Sequence, residues 1–247
     1  MSARRVYRIS GKDRVEFLQN LVTNDVRRLD AGLVWAALLT PQGKYLADFF
    51  LVPDGESILL DVAEPLAAGL VQRLTMYKLR ADVRIEQTDI AVARGLGEPP
   101  SGAFADPRHF SLGWRAYDGR TGEEADWDAL RVAAGVPESG VELIPNESFP
   151  LELGFETLNG VDFRKGCYVG QEVTARMKHK TDLRKGLRRV SVEGSAPVGT
   201  EILAEDGRVA GTLFTQAGGE GLAYVRFDRA EGRMQAGAAV LRIADDV

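Results

Sequence analysis

The chain has 247 residues, of which 45% are hydrophobic and 27% charged, as in an ordinary folded protein. Its 31 lysines and arginines against 36 aspartates and glutamates argue against a general binder of nucleic acids or membrane surfaces. One cysteine excludes an internal disulfide, and with only two histidines we expect no metal site built from protein side chains. The N-terminus lacks an apolar run, which predicts a cytoplasmic protein with no signal peptide and no membrane span.

Hydrophobic periodicity in the first three quarters of the chain predicts helices that alternate with antiparallel strands. The apolar runs 33–39 and 45–52 flank a turn sequence, Thr-Pro-Gln-Gly, and therefore predict a hairpin. The other predicted elements are a helix from Asp13, a strand over 57–62, a helix from Pro65, strands at 83–85, 90–93 and 110–117, and a helix opened by a Thr121–Glu124 capping box and ended by Gly135. This combination indicates an α+β fold.

The chain after Gly186 has a different pattern, in which short β-like segments alternate with glycines. No helical period is present there, and five or six short strands at this spacing predict a small barrel or sandwich. We therefore place a domain boundary near residue 185, between a first region over 1–185 and a second over 186–247.

The densest chemistry lies around the single cysteine, Cys167, which stands between two glycines just before a helix predicted to begin at Gln171. The positive end of that helix and the neighbouring cations Arg164 and Lys165 favour the thiolate form of the cysteine. The alternative is a buried structural thiol, since a free cysteine is usually a small hydrophobe in the core. No histidine lies within the motif to act as a base, which argues against a protease-like Cys–His pair.

Residues 165–172 read Lys-Gly-Cys-Tyr-Val-Gly-Gln-Glu, which resembles the signature K-G-C-Y-x-G-Q-E of the YgfZ family. Members of that family are folate-binding proteins that assist the maturation of iron–sulfur enzymes and affect tRNA modification through them. They are related to the aminomethyltransferase, or T-protein, of the glycine cleavage system. Further resemblances at 17–19, 23–26, 41–49 and 144–147 follow in the family's order. The resemblance implies a folate-binding αβ body with subdomains around a central cavity, followed by a small β-barrel.

The resemblance also implies which residues act. Cys167 and Lys165 would be the catalytic residues, with Cys167 as an essential thiol, and tetrahydrofolate or another folate derivative would be the cofactor. Iron–sulfur assembly proteins or client iron–sulfur enzymes would be the partners. The residues expected to contact folate are Asp48, Asn24, Glu147, Tyr168, Gln171, Glu172 and Arg176.

Three departures from the T-proteins argue against their reaction. Ala133 stands where T-proteins have a glutamate that recognises the pterin, and alanine offers that group no acceptor. Asp48 is the single acid where T-proteins have a pair, and Gln171 replaces an arginine. A tetrahydrofolate-dependent aminomethyl- or methyltransferase nevertheless stays open as an alternative, and whether this chain catalyses any reaction is left open.

A cluster of positive charge supports another alternative, a non-enzymatic module that binds RNA or protein. Seven lysines and arginines fall within the fourteen residues 176–189 of a chain whose net charge is −5. Such a segment suits the glutamate tail of a folate, RNA or an acidic partner. A solvated linker between body and barrel explains the same charges.

Overall fold

The computed structural model describes residues 3–180 and 182–244. Five antiparallel strands form the first sheet in the spatial order β2-β3-β4-β1-β5. Their bounds are β1 Arg4–Ser10, β2 Val34–Leu39, β3 Tyr45–Asp54, β4 Ser57–Ala63 and β5 Arg84–Gln87. The predicted hairpin is confirmed as β2 and β3, whereas β1 has no counterpart among the sequence predictions.

Both faces of this sheet are buried. Successive side chains of a strand point to opposite faces, so Phe49 and Leu51 of β3 pack under the helices α1 (Arg14–Gln19) and α2 (Glu64–Lys78), while Phe50 faces the other way. That second face is covered by the chain between the third helix and the cysteine motif. This second face carries Asp48 and supports the segment that leads to Cys167.

The remaining elements of the body are small. The strands β6 (Ala93–Gly95), β7 (Phe104–Ala105) and β8 (Trp114–Ala116) form a second sheet in the order β6-β8-β7. Helix α3 spans Trp127–Ala133, and helix α4 spans Gln171–Lys180 and begins at the predicted residue. Short 3-10 helices cover Val26–Ala31, Phe110–Leu112 and Pro150–Leu153. Within the described residues, no helix is long and apolar enough to cross a membrane.

The C-terminal strands close into a barrel with the order β10-β11-β12-β9-β14-β13. Its strands are β9 Lys185–Glu193, β10 Thr200–Leu203, β11 Val209–Ala217, β12 Glu220–Arg226, β13 Met234–Ala236 and β14 Ala239–Ile243. Buried side chains such as Leu213 and Leu241 fill the barrel as its own core. The predicted α+β fold with a small C-terminal barrel is confirmed.

Three local predictions differ from the structure, the first because tertiary hydrogen bonds take precedence over local pattern. The segment after Thr121 is extended, since Glu123 bonds through its backbone N–H to Arg94 O at 2.7 Å and accepts through its carboxylate from Leu96 N at 2.9 Å. Helix α3 therefore begins later, with Asp126 as the residue whose side chain accepts from Ala129 N at 2.9 Å.

The second error concerns the predicted strand at 90–93. Only Ala93 belongs to a strand, and the backbone N–H of Ile90 donates to Thr88 Oγ1 at 3.3 Å rather than to a neighbouring strand. The predicted strand at 110–117 is likewise shortened to β8, since Phe110–Leu112 forms a 3-10 helix.

A buried ion pair ties the body to the barrel. The guanidinium of Arg131 in α3 donates to Glu142 Oε2 at 3.0 Å and to the hydroxyl of Thr215 in β11. The same carboxylate accepts from the Thr215 backbone N–H at 3.2 Å. Arg131 and Glu142 are both buried, at 2% exposure each. If one of the two charges is removed, water therefore cannot replace it as the partner of the other.

We expect Arg131→Met to lower the free energy of unfolding by about 3–5 kcal/mol, because it leaves the Glu142 carboxylate buried without its cation. Chemical denaturation measures the change. The matched control is Arg208→Met, which removes an exposed pair with Asp206 and should cost no more than about 1 kcal/mol. A loss below about 1 kcal/mol at Arg131 would contradict the structural role of this pair.

Candidate functional site

Cys167 lies exposed on a loop that joins the second face of the first sheet to helix α4. The start of this loop is held by the Thr-Asn-Asp segment at 23–25. Asp162 N donates to Thr23 O at 3.0 Å, and Thr23 Oγ1 donates to Gly160 O at 2.7 Å. The buried Asn24 side chain donates to Asn159 O at 2.6 Å and to Trp35 O at 2.8 Å. The amide of Asn24 thus holds the main chain that leads into the motif.

Lys165 anchors the middle of the loop. Its Nζ donates to Gln19 O and to Val22 O, both at 2.5 Å, and lies 5.1 Å from the centroid of the Tyr168 ring. Burial lowers the pKa of Lys165 to about 8, although the carboxylates of Asp25 and Asp162 act in the opposite direction. The amine therefore titrates close to neutral pH.

The end of the loop packs on the β2–β3 turn. A Cβ at Gly170 would lie 2.6 Å from Thr40 O, and a Cβ at Gly43 would lie 2.9 Å from Val173 Cβ. Both glycines are therefore needed for the close approach of the cysteine loop to the β2–β3 turn. Tyr168 is buried beside them, and burial raises its pKa to about 12.

Of the predicted folate contacts on α4, Glu172 and Arg176 are exposed and Gln171 is half-buried. Arg176 Nη2 pairs with Glu172 Oε1 at 2.8 Å, and the Glu172 side chain is 84% exposed. Gln171 begins the helix, with its backbone N–H donating to Tyr168 O at 3.2 Å. These three residues lie at the surface beside the cysteine loop.

The basic segment 176–189 does not form one continuous patch of unpaired cations. Lys178 pairs with Glu156, and Lys185 Nζ lies 3.9 Å from Glu152 Oε2. The guanidinium of Arg188 stacks over the Phe227 ring at 4.2 Å, and Arg189 Nη1 donates to Ala133 O at 2.6 Å. The side chain of Lys180 and the whole of residue 181 lie outside the described residues. Much of the positive charge of this segment is therefore engaged in ion pairs, a cation–π contact and a hydrogen bond within the protein.

Asp48 lies on the second face of the first sheet, at the wall of a cavity of about 380 Å³. Its carboxylate is 2% exposed and accepts three hydrogen bonds: from Trp35 Nε1 at 2.9 Å, from the Tyr45 hydroxyl at 2.7 Å and from Ser139 Oγ at 2.6 Å. Burial raises the pKa of Tyr45 well above its usual value, and the neighbouring Asp48 raises it further. Tyr45 therefore stays a donor to this carboxylate at neutral pH.

Four arginines and a second acid, Glu138, line the same cavity as Asp48. The arginines are Arg4, Arg94, Arg108 and Arg115. The sequence analysis missed these arginines because they come from separate segments of the chain. A charged residue, Arg115, within the predicted strand 110–117 was a visible signal, and the structure shows that it is buried.

The buried acids Asp61 and Asp106 hold three of these arginines in place. Arg4 Nε is 2.6 Å from Asp61 Oδ1, and the carboxylate of Asp106 lies 2.8 Å from Arg108 and 3.0 Å from Arg115. Burial alone would raise the pKa of Asp106, but the two guanidinium groups hold it well below its usual value.

Arg94 forms the fourth part of this basic wall. Its guanidinium lies 3.9 Å from the centroid of the Trp127 ring. Burial, together with repulsion from Arg115 and Arg108, lowers the pKa of Arg94 to about 9. The cavity thus combines a basic wall with two carboxylates, which suits a ligand that carries both hydrogen-bond donors and acidic groups.

Glu147 lies at a different place from Asp48. It lines a cavity of about 370 Å³ between body and barrel, together with Lys44, Lys185 and Tyr224. The residues predicted to bind folate are thus distributed over the cavity at Asp48, the junction with the barrel, α4 and, for Asn24 and Tyr168, the cysteine loop and its anchor. Among the described residues, no group of three or more His, Cys, Asp or Glu side chains is placed to hold a metal ion.

The low pKa of Lys165 predicts a pH dependence of stability. A lysine in an unfolded chain titrates near about pH 10.4, whereas the folded chain releases this proton near pH 8. Between these values the unfolded chain holds more protons, so the free energy of unfolding rises with pH. From about pH 7 to about pH 9.5, wild type should gain on the order of 1 kcal/mol over Lys165→Met, after allowance for partial solvent exposure. Denaturant titrations at both pH values test this, and a constant or falling difference contradicts it.

Comparison with known proteins identifies relatives of both regions. Residues 184–245 match the family model described as "CAF17, C-terminal beta-barrel domain". The chain is 35% identical over 216 residues to the mitochondrial iron–sulfur cluster assembly factor IBA57 homolog of Mycosarcoma maydis, which covers 74% of this chain and 54% of that protein. It is 29% identical to the mitochondrial IBA57 of Mus musculus, over 94% of this chain and 78% of that protein. The chain therefore spans about half the length of the fungal relative.

A solved structure shares the fold. The glycine cleavage system aminomethyltransferase T from Bartonella henselae superposes with a TM-score of 0.76 over 99% of this chain and 83% of that chain, at 13% sequence identity. The predicted aminomethyltransferase-like architecture is confirmed.

The prediction of a cytoplasmic location is contradicted, because these iron–sulfur assembly relatives are named as mitochondrial proteins. An apolar run marks secretory signals and membrane spans, so its absence does not separate the cytoplasm from a mitochondrial compartment. The signature around Cys167, the barrel model and the aminomethyltransferase fold agree with one another. The chain is therefore similar to CAF17- and IBA57-type proteins, in agreement with the resemblance of its cysteine motif to the YgfZ family, and it has the fold of the glycine cleavage T-proteins.

Proposed function

We propose that this chain is a folate-binding accessory factor in the maturation or repair of iron–sulfur enzymes, with Cys167 as its working thiol. One observation carries the proposal: the exposed cysteine stands on an anchored loop in a chain whose relatives are named iron–sulfur cluster assembly factors. An influence on tRNA modification would follow indirectly, through the iron–sulfur enzymes that carry it out.

The single thiol limits the chemistry. A conventional cluster needs four ligands, so Cys167 can contribute one ligand only if a partner protein or a small thiol supplies the others. The alternative is a redox nucleophile that attacks an oxidised sulfur species. Either route requires access from outside, which the exposure of Cys167 provides. The partners in this proposal are iron–sulfur assembly proteins or client iron–sulfur enzymes.

For folate we propose the cavity at Asp48, within the body over 1–185, with the barrel over 186–247 packed against it. The carboxylates of Asp48 and Glu138 suit the N–H groups of a pterin. The guanidinium groups of the four arginines in the same cavity suit the carboxylates of the folate itself. Ala133 lies at another cavity, of about 490 Å³, and its side chain offers no acceptor there. The T-protein reaction is therefore not part of the proposal.

Cys167→Ala should abolish complementation of a strain that lacks its own family member, because no other thiol is present in the chain. Thermal unfolding should stay within about 1 °C of wild type, since an exposed side chain contributes little to stability. Thr157→Ala is the matched control, at another exposed residue. Wild-type complementation by Cys167→Ala would remove the thiol from the mechanism.

Titration with tetrahydrofolate by calorimetry tests the folate site. Asp48→Asn should weaken binding at least about 10-fold, because a charge-assisted hydrogen bond is worth about 1.5–3 kcal/mol. Ser139→Ala, a milder change at the same carboxylate, should weaken binding less. Glu147→Gln should bind as wild type; the opposite ranking would move folate to the junction with the barrel, and absence of binding by the wild type would remove folate from the proposal.

A further inference from the structure

Helix α1 ends with a cation that its own sequence does not supply. The helix has six residues and no basic residue in its last turn. The last carbonyl groups of a helix lack partners within it, and a positive charge beside them is favourable. Lys165 provides that charge, with Nζ at 2.5 Å from both Gln19 O and Val22 O. A residue far along the chain thus completes this helix.

We propose that Lys165 is the positioning residue of the cysteine loop: its ammonium ties the loop to the end of α1 and thereby fixes the main chain from which Cys167 projects. This inference rests on the proposed function and deepens it, because it assigns a task to the lysine of the motif. Lys165 acts through the loop and touches no reacting atom in this role.

Gln19 completes the attachment from the other side. Its side-chain Nε2 donates to Lys165 O at 3.4 Å, and its Oε1 accepts from Val26 N at 2.8 Å. The side chain of Gln19 is buried, at 7% exposure. Side chain and main chain of Lys165 are therefore both bonded to the same end of α1, which restrains the backbone as well as the amine.

The thiol lies between two fixed points. After Lys165 come the exposed Gly166 and Cys167, and then the chain is buried again at Tyr168. Gly166 has φ +101°, a backbone conformation that favours glycine, and no atom lies within 4 Å of the place where a Cβ would be. The backbone conformation, rather than a close contact, therefore explains the glycine. Only a short span is free to move, which preorganises the thiol for a reacting partner.

The charges around the ammonium support the same arrangement. Burial, the largest effect, lowers the pKa of Lys165 and Arg27 acts in the same direction, whereas the carboxylates of Asp25 and Asp162 oppose this shift and attract the ammonium. Asp162 also accepts from Arg164 N at 2.7 Å and lies 3.3 Å from Arg28 Nη2. The acid that attracts Lys165 is therefore itself held in the loop.

Hydrogen exchange of the full chain at neutral pH tests the proposal. Lys165→Met keeps a side chain of similar length but removes the charge and the donors, and we expect the amides of 162–170 to exchange at least about 10-fold faster. Lys165→Arg restores a cation with donors and should bring exchange back to within about 3-fold of wild type. Arg208→Met, which removes an exposed cation of the barrel paired with Asp206, should leave these amides unchanged.

The outcomes separate this inference from the proposed function. Unchanged exchange in Lys165→Met, or equally fast exchange in Lys165→Met and Lys165→Arg, overturns the positioning role. Faster exchange in Lys165→Met alone, with reduced complementation, supports it. If exchange rises as expected while Lys165→Met and Cys167→Ala both complement fully, the positioning role stands and the thiol function fails.

Discussion

The packing of Trp35 against the segment that covers the second face of the first sheet determines where both sites lie. The Trp35 and Phe155 ring centroids are 4.2 Å apart, and a Cβ at Gly160 would lie 2.6 Å from the Phe155 ring and 2.7 Å from the Trp35 ring. Only glycine lets the main chain pass so close to these rings. Because the main chain passes so close to the rings at Gly160, it leaves the core beside Thr23 and Asn24. The cysteine loop therefore starts in space next to the end of α1.

Trp35 also connects the exposed loop with the buried cavity. Its indole N–H donates to Asp48, and its carbonyl oxygen accepts from Asn24, which in turn holds the main chain ahead of the motif. The two candidate sites are therefore built on one aromatic residue. A substitution that displaced this ring would disturb the cavity wall and the loop anchor together.

The charges buried on this face of the sheet are costly to desolvate, since pairing rarely compensates fully for the loss of water. Asp61 is fully buried and is shared by Arg4 at 2.6 Å, Arg115 at 3.4 Å and the Tyr117 hydroxyl at 2.8 Å. An apolar core would stabilise the fold at least as well. A buried charged cluster that lines a cavity is typical of a ligand site, where such groups recognise rather than stabilise.

The sequence by itself determined the local elements: the β2–β3 hairpin, the start of α4 at Gln171 and the strands of the barrel. It also singled out the cysteine motif, because apolar periodicity, turn residues and short motifs are properties of neighbouring residues. Only the tertiary structure decided that Lys165 completes α1, that Gly170 packs on the β2–β3 turn and that four distant arginines share a cavity with Asp48. It also separated Glu147 from that cavity. The physical reason is that desolvated charges and close backbone approaches are satisfied by partners distant in the chain, which no local pattern specifies.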